Sequence, residues 1–319
     1  MNNTKKKHKV IYDTIIIGGG PAGMSAAIYG ARSGINLLLF STIFGGQLNR
    51  TKMIENYSGF SSISGYELSQ KLLSHVHQFV KKQQIINKTI VSVRKKTNNI
   101  FEVIDQQKKI YLSKTILLCT GSRYKMLNVP NEEKYLNKGI GNCVVCEGFF
   151  YKNQTVAIIG GGNSAMSGSL YMSDIAKQVF LINKNNVFKG ENILLNKIKK
   201  KNNIKIFYNA HTKSFSGDQQ KLTSLTYISK KKEYILNIDA AFIKIGLIPN
   251  ISILKNSIKT NNYGEIMVDH SNMQTSIPSL YACGDIIDNK YKQAIISAGE
   301  GAKAILDIKQ TLNYSKQHE

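Results

Sequence analysis

At 319 residues, 42% hydrophobic and 20% charged, the chain reads as a globular protein with room for two domains, each with its own core. No apolar run approaches the roughly 20 residues that a membrane-spanning helix needs, and four cysteines, only two of them close together, exclude a secreted disulfide framework; a cytoplasmic protein is expected. The formal net charge of +23 does not mark specific nucleic-acid binding, because the arginines stop at Arg32, Arg50, Arg94 and Arg123 and the lysines are scattered among abundant Asn and Ile, as AT-rich coding produces.

The basic start (1–9) and the apolar run after it (10–17) have the outline of a signal peptide. Asp13 interrupts the run and glycines follow it, so a strand is expected there. It leads into Gly18-x-Gly20-x-x-Gly23, with Pro21 and Ala22 inside the motif, then a helix over 22–32 and a second strand over 36–40. In that context the glycines let the backbone turn tightly and approach a pyrophosphate, which meets the free N–H groups of the helix start. From Thr14 to Ile54 there is no Asp or Glu, so no carboxylate is available for ribose hydroxyls and a simple NAD site is disfavoured. Gly45-Gly46-Gln47-Leu48 and Glu55-Asn56-Tyr57 read as loops whose small and amide residues admit a flat ring system.

A helix is predicted over 64–82, with Leu68, Leu72, Val76, Phe79 and Val80 on one side and His75 and His77 in solvent. Strands follow at 89–93, 100–104, 109–112 and 115–119, with Cys119 a buried strand residue and a domain crossover at Thr120-Gly121. Next comes Cys143-Val144-Val145-Cys146-Glu147. Two cysteines at this spacing can close a disulfide ring or supply half a zinc site; the sequence has no second such pair to complete four ligands, so no metal is expected.

A strand at 155–159 then enters Gly160-x-Gly162-x-x-Ala165, with Asn163 and Ser164 opening a helix that runs to about residue 175, and a strand at 178–182 follows. This repeats the phosphate-binding pattern. After it stand Asn183-Lys184-Asn185-Asn186 and Lys189: no carboxylate, which disfavours NAD, and two point charges for a 2′-phosphate without an arginine clamp. Strands at 205–209, 222–229 and 233–238 read as an antiparallel set, and 240–246 leads to a second crossover at Leu247. The tail carries a strand ending in Gly284-Asp285, then Lys292-Gln293-Ala294 and a helix over 295–312.

The order and spacing of these motifs resemble those of the low-molecular-weight thioredoxin reductases, class II pyridine nucleotide-disulfide oxidoreductases, over nearly the whole chain. The resemblance implies an α/β fold of two tandem Rossmann-like, three-layer ββα domains, the second inserted into the first. An FAD domain would comprise 1–119 and 247–319, and a pyridine-nucleotide domain carrying the redox disulfide would comprise 120–246. It places FAD against Gly18, Gly20, Pro21, Ala22, Gly23, Gly45, Gly46, Gln47, Leu48, Asn56, Gly121, Gly284, Asp285, Lys292, Gln293 and Ala294. NADPH would lie on Gly160, Gly162, Asn163, Ser164, Ala165, Lys184 and Lys189. Cys143 and Cys146 become the redox pair, and Glu147 stands for the family's aspartate as proton donor and acceptor. Thioredoxin or a thioredoxin-like protein is the implied partner, the enzyme a homodimer, and one domain rotates against the other about hinges near Thr120-Gly121 and Gly246-Leu247.

The sequence departs from the family where Asn183, Lys184, Asn185 and Lys189 replace His-Arg-Arg and a further Arg, and where Ser167-Gly168-Ser169 replaces acidic residues. Those changes keep open a dithiol oxidase that returns electrons to oxygen and a ferredoxin-dependent reductase. A basic flavin-binding scaffold is the non-enzymatic alternative.

Overall fold

The computed structural model describes residues 10–51, 53–96, 98–254 and 258–317; the basic run at 5–7 lies outside them. Ile11–Ile17 (β1) ends in four fully buried residues, the mark of a central strand covered on both faces. Pro21–Arg32 (α1) follows, with proline at a position whose missing N–H costs nothing. Leu37–Phe40 (β2) returns parallel to β1, with Leu38 opposite Ile15. Gly65–Phe79 (α2) starts at Ser64, whose hydroxyl accepts the Glu67 amide at 3.1 Å. Of its predicted apolar stripe Leu68 and Val76 are fully buried, Phe79 is exposed and Val80 is the extended residue that ends the helix. His75 and His77 are exposed.

Ile85–Ile86 (β3), Ile90–Lys95 (β4), Phe101–Asp105 (β5) and Ile110–Leu118 (β6) come next. The two strands expected at 109–112 and 115–119 are one. The first half of β6 pairs antiparallel with β5 and the second half runs parallel to β1, so a single strand serves two neighbours. Ser113, between the two expected runs, is buried and donates its hydroxyl hydrogen to the Thr115 carbonyl at 2.7 Å.

After Ser122–Tyr124 (β7) the chain builds a second unit: Ile140–Gly141 (β8), the single turn Val144–Glu147 (α3), Thr155–Ile159 (β9), Asn163–Ser173 (α4), Gln178–Ile182 (β10), Asn192–Lys199 (α5) and Ile204–Phe207 (β11). His211–Gly217 (β12), Leu222–Ser229 (β13) and Lys232–Asn237 (β14) form an antiparallel sheet, and Ala240–Ile243 (β15) rejoins a parallel sheet ordered β11-β10-β9-β15-β8. The segment expected at 205–209 therefore belongs to the parallel sheet, with Ile204 opposite Val179. The third antiparallel strand is β12, which sequence pattern missed because only Phe215 in it is fully buried. Side-chain alternation along β9 builds three layers: Val156 and Ile158 pack with Met166 and Met172 of α4, while Ala157 and Ile159 pack with Phe215 and Leu225 of the antiparallel sheet.

Leu247–Pro249 (β16) pairs with β7, and Val268–Asp269 (β17), Gln274–Thr275 (β18) and Leu280–Ala282 (β19) extend the first sheet, whose order is β17-β18-β19-β6-β1-β2-β3. Ala294–Gln317 (α6) is longer at both ends than the helix expected at 295–312. Two compact units result. One uses the described residues up to Thr51, Tyr57–Arg123 and the chain from Ile248 on; the other uses Met53–Asn56 and Tyr124–Leu247.

The core of the first unit joins the sheet to α1 and α6, and the two helices approach closely at Gly30, where a Cβ would come within 3.0 Å of the Ile305 side chain. Ile305 is 1% exposed. Ile305→Ala should destabilise this unit by about 2–5 kcal/mol, seen as a lower urea midpoint at unchanged slope, with near-UV signals of the second unit preserved.

Candidate active site

Cys143 and Cys146 are joined in a disulfide, with their Cα atoms 5.3 Å apart. The bond spans α3: Cys143 caps the helix, and its sulfur accepts the Cys146 amide at 3.2 Å. With their sulfurs bonded to each other, the two cysteines offer no thiolates to a metal in this state.

Glu147 ends the same turn, its amide donating to the Cys143 carbonyl at 3.0 Å. Its side chain folds back along the turn toward Gly141, where the backbone amides of Asn142 and Cys143 favour its charged form. Space for this exists because residue 141 is glycine: a Cβ there would lie 2.6 Å from a carboxylate oxygen. Burial raises the Glu147 pKa to about 7, against the two amides and the nearby Lys244 ammonium, which hold it down. A carboxyl poised there gives or takes a proton at neutral pH. Tyr151, packed edge-on against Phe242, is pushed up to about 12 by burial and stays a neutral phenol.

In the first unit the turn after β1 has Gly18 at φ +121°, where a Cβ would lie 2.1 Å from the Cys119 carbonyl oxygen. Gly23 packs against the Gly18 carbonyl as closely, 1.8 Å for a Cβ. Gly20 differs: a methyl group there would have no neighbour within 4 Å. It caps α1 without a side-chain bond, and no acidic residue stands in the first turn, so the helix start is open to an anion.

Other predicted residues converge on this turn. Gly46 approaches Gly20 within 3.5 Å of a Cβ, Leu48 is buried, and Gln47 donates to Asp285 Oδ2 at 2.8 Å and to the Ser122 carbonyl at 3.0 Å. Desolvation pushes the pKa of the half-buried Asp285 carboxyl up. Gly284 packs on Ala22, and its amide donates to Glu300 Oε2 at 2.8 Å. Gly121 turns at φ +62° and accepts the Asn250 amide at 3.0 Å. Lys292 pairs with Glu265 at 3.1 Å, the Gln293 carbonyl accepts the Ser297 amide at 2.9 Å, and Ala294 opens α6. Asn56 falls in the stretch that belongs to the second unit. Sequence reading missed Ser122, Ser297 and Glu300. The signal for the last two was a pair of polar residues at helical spacing in the otherwise apolar first turns after Gln293, 294–302.

The second unit repeats the design. A Cβ on Gly160 would lie 2.3 Å from the Lys244 carbonyl oxygen and 3.0 Å from Ala165, whereas Gly162, the cap of α4, is open. Asn163 at the helix start is held by Glu191, donating to its carboxylate at 2.9 Å and accepting its amide at 2.7 Å, while Ser164 is exposed. The 183–191 loop folds over the turn. Buried Asn183 bridges Asn185 and Val187, and the Lys189 amide donates to the Gly161 carbonyl at 2.8 Å. Lys184 and Lys189 are exposed.

Comparison with known proteins agrees with this geometry. The pyridine nucleotide-disulphide oxidoreductase family matches residues 12–301, and the chain belongs to that family of oxidoreductases. It is 38% identical over 322 residues to the thioredoxin reductase of Buchnera aphidicola subsp. Acyrthosiphon pisum (strain APS), covering 97% of this chain and 98% of that one. It is 37% identical over 304 residues to an alkyl hydroperoxide reductase component from Staphylococcus aureus (strain N315), covering 94% of this chain but only 59% of that longer protein. The crystal structure of thioredoxin reductase from Streptococcus pyogenes MGAS5005 superposes with a TM-score of 0.88 at 30% identity, covering 95% of this chain and 99% of that one.

The contrast between Gly18 and Gly20 is testable. Gly20→Ala should leave the fold and its melting intact while lowering flavin retention about tenfold, a loss of roughly 1.4 kcal/mol; Gly18→Ala should damage the fold itself. The ratio of visible to ultraviolet absorbance, beside a thermal melt without flavin, separates the two.

Proposed function

We propose that this oxidoreductase is a flavin-dependent disulfide reductase, passing electrons from NADPH through FAD and the Cys143–Cys146 bond to the disulfide of thioredoxin or a thioredoxin-like protein, as a cytoplasmic homodimer. The observation that carries the reading is the disulfide closed over a single helical turn whose last residue is a carboxyl raised to about 7.

The residues present suit both cofactors. For FAD, the first unit has a glycine cradle at an uncapped helix start, with Gln47, Asp285 and Gly121 beside it. For a pyridine nucleotide, the second has Gly160 and Gly162 at a similar start, with Lys184 and Lys189 on the loop above. On this reading the first unit is the FAD domain and the second the nucleotide domain, with crossovers at Arg123/Tyr124 and Leu247/Ile248 rather than the 119/120 and 246/247 expected from sequence. When bound, the flavin carries an electron pair between the nucleotide and the disulfide.

The chain's own residues do the rest. Reduction breaks the S–S bond and leaves one thiol and one thiolate. The Cys143–Cys146 turn places the thiolate at a helix N-terminus, which favours the anion. One sulfur attacks the partner's disulfide and its neighbour resolves the mixed disulfide, so the partner gains two electrons and the pair returns to its oxidised form. Glu147 gives a proton to the departing sulfur and takes it back. Gly121 and Gly246, with φ of +62° and +115°, supply backbone freedom where the chain crosses between units, and are the proposed hinges of a domain rotation.

Anaerobic addition of NADPH to the yellow protein should bleach the flavin rapidly, and NADH more slowly. Bleaching by a dithiol but by neither nucleotide would instead identify the oxidase. Cys143→Ser or Cys146→Ser should abolish thioredoxin turnover while flavin binding persists.

Because the raised pKa keeps the acid form of Glu147 up to about pH 7, wild-type turnover should fall on the alkaline side of a limb centred there. Glu147→Gln should remove that limb and lower the plateau by about 10²-fold, read from kcat/KM between pH 5.5 and 9.

A further inference from the structure

A lysine that sequence reading passed over sits beside the disulfide loop. Lys244 follows β15, and its amide donates to the Ile159 carbonyl at 2.8 Å while its own carbonyl packs under Gly160. The backbone is thereby fixed at the end of the parallel sheet, with Ile243 opposite Ile159. From that anchor the side chain reaches across to the Asn142 carbonyl oxygen, donating to it at 2.9 Å.

The same peptide group carries a second charged partner on its other side. Its carbonyl takes the Lys244 ammonium, and its N–H, that of Cys143, lies on the side of the Glu147 carboxyl and favours that group's charged form. A cation on the oxygen and an anion beside the N–H polarise one amide in the same sense.

We infer that Lys244 is a positioning residue for the thiol–disulfide reaction: through the Asn142–Cys143 peptide it holds the Glu147 carboxylate against the start of the disulfide turn. The inference rests on the proton-transfer role proposed for Glu147.

Electrostatics agree in both directions. The Lys244 charge opposes the rise that burial imposes on Glu147, and Glu147 opposes the fall that burial imposes on Lys244. The other groups around Glu147 contribute differently. Tyr151, on the turn that follows, is a neutral phenol; Tyr171, from α4, lies against Gly148 and is exposed; Lys152 is turned over the Phe149 ring. Asp239 stands at the opposite end of β15 and accepts the Thr155 amide. The two cysteines carry charge only after reduction. Lys244 is thus the cation that bears on Glu147.

The test uses the FAD-loaded, full-length protein with Lys244→Met, which keeps most of the side chain's length without its charge, and Lys244→Arg, which keeps the charge. The ionisation of Glu147 is followed in the oxidised protein, without turnover, by isotope-edited infrared titration of carboxyl groups, with the band assigned by its loss in Glu147→Gln. Lys244→Met should move that titration upward by about one pH unit and carry the alkaline limb of kcat/KM with it, and Lys244→Arg should restore at least half of the shift. In the Lys244→Met, Glu147→Gln double variant the lysine change should have no further effect on the profile.

A lysine that merely braces the Asn142 carbonyl would lower the plateau or the melting temperature and leave both titrations in place. That result would overturn the inference. If the wild-type limb persists in Glu147→Gln, the role of Glu147 fails first, and an infrared shift in Lys244→Met would still identify the electrostatic contact. Should Lys244→Met fail to fold, Lys244→Gln answers the same question.

Discussion

Both units depend on one constraint: at the end of a parallel strand, a glycine passes so close to the neighbouring strand's backbone that no side chain fits. In the first unit the pair is Gly18 and the Cys119 carbonyl, 2.1 Å from where a Cβ would stand; in the second it is Gly160 and the Lys244 carbonyl, at 2.3 Å. Parallel strands all end at the same edge, so each contact lies where the following helix presents unpaired N–H groups. Close approach and open helix start come as one package. Gly20 and Gly162, which have no neighbours to avoid, leave the space that the tight turns create.

This package was legible in the sequence because it is local: strand, glycines and helix lie within about 30 residues, which is the span of a βαβ unit. Features made by distant pairings were harder to see. Cys119 and Cys283 are 164 residues apart in sequence, yet β6 and β19 run side by side with Leu118 opposite Ala282, and the buried sulfurs meet at 3.4 Å. Lys244 lies within the run expected at 240–246, where nothing local marks its side chain. Only the register of β15 against β9 brings it over the disulfide loop. The β12 strand escaped for an energetic reason: with Phe215 its fully buried residue, its hydrophobic alternation is too weak to stand out, and the β13 ladder holds it in place.

The Asn and Lys content, which suggested coding bias rather than a binding face, has local structural consequences. The non-glycine residues with positive φ include Asn99, Asn128, Asn131, Asn137, Asn153 and Asn209, together with Lys108, Lys230 and Lys231. Asparagine tolerates the left-handed region better than other side chains because its amide can bond the local backbone, so an Asn-rich chain closes its turns with fewer glycines. Lysine has no such help. At Lys230 and Lys231 the hairpin joining β13 to β14 accepts the strain, with Ser229 paired to Lys232 across it. The lysines also lie over aromatic rings, Lys152 on Phe149 and Lys205 on Phe207 among them, which turns part of a large positive charge into packing.

Glu147 shows how backbone space sets chemistry. A carboxyl at the end of a single helical turn would ordinarily point to water and ionise with the other acids. Here it lies back along the turn, over residue 141, where only hydrogen stands on the Cα. The missing side chain has no conformational cause, since positive φ is found at other glycines and not at Gly141; it is the room taken by the carboxylate that excludes a Cβ. Folded back, the group exchanges water for two amides and a nearby ammonium. Burial still wins, and the proton is held to about pH 7. The extra methylene that distinguishes glutamate from aspartate is therefore coupled to the glycine six residues before it: lengthening residue 141 would drive the carboxyl out into water, lower its pKa and leave the Asn142–Cys143 peptide polarised from one side alone.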